Sequence, residues 1–192
     1  MKTEKISLFK PFKDMQQGFD KMTNIAENIK NSDDRVQMLI CYGCLVETYN
    51  QTMRKEKLIR SLISAHCEKT VYHSNSFNRL TVKENQAKTF FLMNEKSAKK
   101  VFETYLKNGQ YNDAMQRGYL FETKFLKLND FDISSEPYKV KFYSELSIIK
   151  GQETLKYIVV SSGEIITHTP QYPENPYGYY FKNYKQSFKN SK

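Results

Sequence analysis

The sequence predicts an α+β domain in which N-terminal helices precede a curved antiparallel sheet packed against them. Apolar residues recur at three- and four-residue spacings in the N-terminal half, and after Gly118 the period falls to two. The strand-like runs also follow one another through short turns with no helix between them. That order belongs to an antiparallel meander, since a parallel sheet needs a crossover between successive strands.

Residues 14–30 open the helical half, with Met15, Phe19, Met22, Ile25 or Ala26, and Ile29 on one stripe. The NSDD at 31–34 interrupts that stripe and offers an N-cap to a second helix running to about Ile63. Inside it lies MLICYGCLV, residues 38–46, preceded by Asp33, Asp34 and Arg35 and followed by Glu47. A membrane span needs about 20 apolar residues, so hydropathy alone makes this a buried helix segment. From His66 to Gln86 the pattern is mixed, with β-prone pieces at Thr70-Val71-Tyr72 and Leu80-Thr81-Val82. NEKSAKKVFETYLKNG is a clear amphipathic helix: Asn94 caps it, Glu95 sits in the first turn, and Ala98, Val101, Phe102, Tyr105 and Leu106 share a face. Gly109 stops it, and a short helical piece from Tyr111 to Arg117 ends at Gly118.

Four strands follow. Phe121, Thr123 and Phe125 mark the first, and Tyr138, Val140 and Phe142, alternating with Lys139 and Lys141, the second, which Gly151 breaks. Leu155, Tyr157 and Val159 mark a third, ending at the SSGE of 161–164, and the fourth begins at Tyr179. Between the last two lies PENPYG. Pro173 and Pro176 cannot donate to a ladder and each extends the residue before it, so the chain must leave the sheet here. Asn175-Pro176-Tyr177-Gly178 reads as a turn with proline at its second position, and Gly178 supplies the backbone freedom for the return. The chain thus divides into a helical arm, residues 1–65, and an α+β scaffold domain, residues 66–192.

With 192 residues, 39% hydrophobic, and with 14 Tyr and 13 Phe, the chain can bury one substantial core. The net charge of +9 comes almost wholly from lysine, since arginine stands only at 35, 54, 60, 79 and 117. Bidentate base readers are scarce, and an excess spread along the whole chain reads as a solvated surface rather than a nucleic-acid site. Cys41 and Cys44 form a CxxC, but no second ligand pair has zinc spacing and no βαβ unit surrounds them. With Cys67 the count is odd, against a disulfide framework. His66, His73 and His168 stand without triad or metal spacing, and no phosphate, dinucleotide or hydrolase motif occurs. No catalytic residue, cofactor or metal is expected, and no small-molecule substrate.

The stretch FFLMNEKSAKKVFETYLKNGQYNDAM, then the alternating strands and YIVVSSGEIITHTPQYPENPYGYYFKNYK, resembles the TraK proteins of Bacteroidetes conjugative transposons. These in turn look like the eighth VirB component of type IV secretion systems. The resemblance covers residues 88–187 and rests on the aromatic pair Phe90 and Phe91, the helix at 95–107, Tyr111, the NPYG of 175–178 and the pair Tyr184-Lys185. It implies a nuclear-transport-factor-like or cystatin-like domain that is non-catalytic and serves as an assembly scaffold of an inner-membrane complex. Its partners would be further copies of itself and other secretion components. Carried onto this chain, the contact residues would be Asn175, Pro176, Tyr177 and Gly178, with Tyr180 and Tyr184 of the following strand. The resemblance also implies an anchor in the inner membrane and a periplasmic C-terminal domain. RVQMLICYGCLVETYNQTM stands where that anchor belongs and is apolar over only about half of a span, which leaves open a shortened anchor or a soluble arm. The alternative function is a soluble binding module of the same fold, holding an apolar ligand on the concave face of the sheet or nucleic acid on its lysines.

Overall fold

The structure, a computed structural model, describes residues 32–132 and 135–190. The helix expected at 14–30 lies outside them. Among the described residues four helices, α1 (Ser32–Asn75), α2 (Val82–Thr89), α3 (Glu95–Lys107) and α4 (Gln110–Arg117), precede four strands. The strands are β1 (Leu120–Asp132), β2 (Tyr138–Lys150), β3 (Glu153–Thr167) and β4 (Tyr179–Asn190). They form one curved antiparallel sheet in the order β1-β2-β3-β4, so the class is α+β as expected.

The chain divides into two compact units, Met1–Lys55 and Glu56–Lys192. In the first, the described part of α1 carries exposed polar side chains. Thr48 and Thr52 return their hydroxyls to the carbonyls of Cys44 and Thr48 at 2.9 Å, the back-bonding open to a threonine inside a helix. The CYGC lies within this helix.

In the second unit α1 continues past Ile63, and the β-prone pieces expected at 66–86 do not form. Ile63, Cys67 and Val71 recur at four-residue spacing and are fully buried. Burying that stripe outweighs the strand preference of Thr70-Val71-Tyr72, a margin of fractions of a kcal/mol per residue. After α1 the Asn78 side chain accepts from the backbone N–H groups of Leu80 and Thr81 at 2.8 and 3.0 Å. This turn makes Leu80-Thr81-Val82 the start of α2 rather than a strand.

Helix α3 begins as expected: the Asn94 side chain accepts from the Ser97 N–H at 3.1 Å. Its inner face buries Ala98, Val101 and Tyr105, whereas Leu106 is 63% exposed. Gly109 and Gly118 take positive φ at the two ends of α4.

Strand β2 alternates over its whole length, with Val140, Phe142, Ser144, Leu146 and Ile148 turned inward. A two-residue turn joins it to β3, Lys150 pairing with Glu153. Gly151 takes φ +64 there, the backbone sign a type II′ hairpin needs at its first position. β3 does not stop at 161–164 but passes through Gly163 to Thr167, and the reason is a bulge. Opposite Gly163, between the pairs Ser162–Lys185 and Glu164–Lys182, β4 holds two residues, Asn183 and Tyr184. Asn183 sits at φ +53, and the extra residue turns Tyr184 inward after Tyr179 and Phe181. A Cβ on Gly163 would stand 2.9 Å from the Phe181 ring and 3.3 Å from the Tyr184 backbone, so only glycine lets the two strands close at this point.

The core fills the space between helices and sheet with aromatic side chains. Phe77 stacks on Phe121 at 4.4 Å, and Tyr105 meets Phe77 edge to face at 5.1 Å. Phe142, Phe181 and Tyr184 form a second cluster, and the buried imidazole of His66 stacks on Phe181 at 5.3 Å. The concave face is thus occupied by the protein's own side chains. At one edge of the sheet Phe77 exchanges both backbone hydrogen bonds with Phe121 at 2.9 Å. At the other, Phe181 donates to Leu92 at 2.9 Å and accepts from Asn94 at 3.0 Å.

Candidate functional site

The loop between β3 and β4 carries the NPYG and is fastened at both ends and at its middle. At its base the His168 N–H donates to the Gly178 carbonyl at 2.8 Å. Further out, Gln171 and Asn175 exchange backbone hydrogen bonds, closing a small ring around Tyr172, Pro173 and Glu174. The Pro173 carbonyl accepts from the Lys69 ammonium of α1 at 2.6 Å. Burial lowers the pKa of that ammonium, while the Glu174 carboxylate pulls it back up. The Glu136 carboxylate, at the start of β2, accepts from the Thr167 backbone and hydroxyl where the loop departs.

Asn175 is fully buried. Its side-chain amide donates to the Phe91 carbonyl at 3.0 Å and to the Tyr179 carbonyl at 2.8 Å. An amide NH₂ has two donors, and both are used to join the loop to the segment before α3 and to the first residue of β4. Gly178 has φ +65, and a Cβ there would meet the His168 carbonyl at 2.8 Å and the Pro170 ring at 2.9 Å. Its need for glycine is thus one of space as well as backbone angle.

The six expected contact residues fall into two groups. Asn175 and Tyr184 are inside, Tyr184 donating to or accepting from the Ser161 hydroxyl at 2.9 Å, and Gly178 is enclosed by its own loop. Pro176, Tyr177 and Tyr180 are half-buried. Tyr180 stacks on the exposed His168 ring at 5.3 Å. Tyr177 packs on the core and lines a surface depression with Lys69, Tyr72 and Lys124. Of the six, Pro176, Tyr177 and Tyr180 therefore reach the surface, beside the exposed residues 167–173, among them the 87% exposed Tyr172. Sequence reasoning missed Lys69, Glu136 and Tyr172. Lys69 and Pro173 are separated by 104 positions, and no local pattern announces such a pair.

The remaining polar candidates are taken up structurally. His73 shares a 3.1 Å hydrogen bond with the Asn85 side chain, and burial lowers its pKa. His66 is enclosed; desolvation drives its pKa down to about 3, against a smaller pull from the Leu92 backbone. Cys67 is buried and its thiol is pushed up by desolvation, the opposite of what a reactive thiolate needs. Cys44 is exposed. Among the described residues no three His, Cys, Asp or Glu gather as a metal site. No helix among them is long and apolar enough to cross a membrane.

No model of a known protein family matches this chain, and no curated protein matches it in sequence. Its fold does have solved counterparts. It is similar to an IcmL-like type IV secretion system protein from Legionella pneumophila, with a TM-score of 0.57 and 6% identity, over 69% of this chain and 95% of that one. It is also similar to the VirB8 protein of Agrobacterium tumefaciens, with a TM-score of 0.51 and 12% identity, over 69% of this chain and 94% of that one. At such identities the likeness is one of fold, and the chain has the nuclear-transport-factor-like α+β fold of VirB8-like type IV secretion proteins.

Proposed function

We propose that this protein is a non-catalytic assembly component of a type IV secretion apparatus, of the conjugative kind to which the TraK proteins belong, and that it acts through protein-protein contacts. The observation that carries the reading is the docked NPYG loop: Asn175 binds the Phe91 carbonyl and thereby joins two of the stretches on which the TraK resemblance rests. The solved counterparts, one described as an IcmL-like type IV secretion system protein and the other as VirB8, are covered over 95% and 94% of their lengths and support it at the level of the whole domain.

In this reading Asn175 and Gly178 hold the loop in shape and Tyr184 belongs to the core beneath β4, while Pro176, Tyr177 and Tyr180 meet the partner, either another copy or a neighbouring component. Residues 66–192 form the scaffold domain on the outer side of the inner membrane. Residues 1–65 form the arm that places it there, with 38–46 as a shortened anchor. The test is deletion of the gene in its own host, scored by the frequency of DNA transfer. A fall of at least a hundredfold, restored by the wild-type gene, is expected; transfer at the parental frequency would overturn the proposal.

A further inference from the structure

Strand β1 is an edge of the sheet, and among the described residues backbone partners cover only its first part. The outward backbone groups of Phe121 are taken by Phe77, and the Thr123 N–H is taken by the Ser76 hydroxyl at 2.9 Å. Phe125 is next in the same alternation, and no hydrogen bond from the described residues meets its outward N–H and C=O. From here a groove runs between α1 and β1. One part, of about 570 Å³, has Ala65, Phe125, Leu126 and Leu128 as its apolar wall, with Arg60 and Lys127 at its rim. The other, of about 360 Å³, shares Ala65, Glu68 and Phe125 with the first, adds Lys69 and Lys124, and ends at Tyr177 of the NPYG loop.

Two features define what fits. The groove follows about six residues of strand, or roughly 20 Å, alongside the Phe125 N–H and C=O that no described residue meets, the geometry by which an extended chain adds to a sheet edge. Its charge is one-sided: Arg60, Lys69, Lys124 and Lys127 face a single acid, Glu68. Among the described residues no salt bridge engages Arg60, Lys124 or Lys127. Register shifts at Phe125/Lys127 and Leu128/Asp130 lie on either side of Lys127. Bulges and edge lysines discourage pairing between two copies of the same edge, yet the same lysines attract a strand of opposite charge.

We propose that this groove receives an acidic segment of a partner protein in extended conformation, laid along β1 from Leu128 past Phe125, with one end against Tyr177. The proposal rests on the reading of the NPYG loop as a contact surface and names the chemistry of what meets it.

The test is an amide chemical-shift titration of the full chain with the peptide acetyl-(Glu-Val)₄-amide. Saturable shifts confined to residues 60–72, 123–128 and the neighbourhood of Tyr177 are expected, weakened at least tenfold in Lys124→Glu/Lys127→Glu. The (Lys-Val)₄ peptide, and a (Glu-Val)₄ peptide N-methylated at alternate residues, should not bind. The absence of saturable shifts, or equal binding by the basic or the methylated peptide, would overturn the proposal. So would a chain that dimerises through this groove, with the double substitution abolishing the dimer. If the peptide fails while crosslinks from Tyr177 still reach a secretion component, the groove assignment falls and the assembly role stands. If the peptide binds and those crosslinks are absent, the assembly role falls and the groove stands.

Discussion

The buried amide of Asn175 donates to the Phe91 carbonyl at 3.0 Å, across 84 positions of sequence, and so ties the NPYG loop to the segment that leads into α3. Its second donor goes to Tyr179 at 2.8 Å. Asn175→Ala would leave two carbonyls without these donors inside the fold, at a cost of about 2–4 kcal/mol. Asn175→Asp should cost at least as much, because a carboxylate cannot donate to either carbonyl. Chemical denaturation of the two variants measures both. Stability within about 0.5 kcal/mol of wild type would show that the docked loop does not depend on this residue.

Three glycines with different surroundings should respond differently to alanine. At Gly178 the added Cβ meets the His168 carbonyl at 2.8 Å under a φ of +65, and at Gly163 it meets the Phe181 ring at 2.9 Å. Each substitution is expected to cost about 2–3 kcal/mol. Gly151 has φ +64 but open space around it, so Gly151→Ala carries only the backbone penalty of about 1 kcal/mol. Thermal unfolding of the three variants gives the order directly.

His66 makes stability depend on pH in a direction set by its burial. In the fold its pKa is about 3, below the ordinary 6.5. The unfolded chain therefore binds a proton that the folded chain refuses between these values, and the contribution from His66 declines as pH falls from about 6.5 toward 3. The total is on the order of a few kcal/mol. His66→Leu, close in volume and without a titrating group, should flatten that part of the profile in denaturation curves taken from pH 7 to pH 4. An unchanged slope in the variant would mean that His66 is not its source.

Lys69 fastens the tip of the loop rather than the core. Lys69→Met keeps the aliphatic stem and loses the 2.6 Å bond to the Pro173 carbonyl, a change of about 1 kcal/mol in global stability. The larger effect should be local, as faster hydrogen exchange at the Gln171 and Asn175 amides. Exchange at the wild-type rate would assign no holding role to the lysine.

What the sequence made legible was periodic or punctuated. The face of α3, the alternation of β2, the Asn94 cap and the break in the sheet between β3 and β4 each follow from residues within a few positions of one another. The end of α1 was not legible, because the stripe Ile63, Cys67 and Val71 gains its meaning from the sheet that covers it, whereas Thr70-Val71-Tyr72 taken alone favours a strand. The bulge was hidden for a related reason. Nothing near Gly163 says that it faces two residues of β4, so Tyr184, expected from the resemblance as a contact residue, lies instead in the core, bonded to Ser161. At the loop the turn residues were evident from proline and glycine. The division between residues that hold it, such as Asn175, and residues that present it, such as Tyr177, required partners as distant as Phe91 and Lys69.

The most direct measurement of the central claim is site-specific photocrosslinking in the native host, with benzoylphenylalanine replacing Tyr177 and, as a control, Lys189 at the far end of β4. The account predicts crosslinks from position 177 to a second copy of this chain or to another component of a type IV secretion apparatus, identified by mass spectrometry, and none of them from position 189. Crosslinks from both positions to the same unrelated proteins, or none from 177 in cells that transfer DNA, would contradict it.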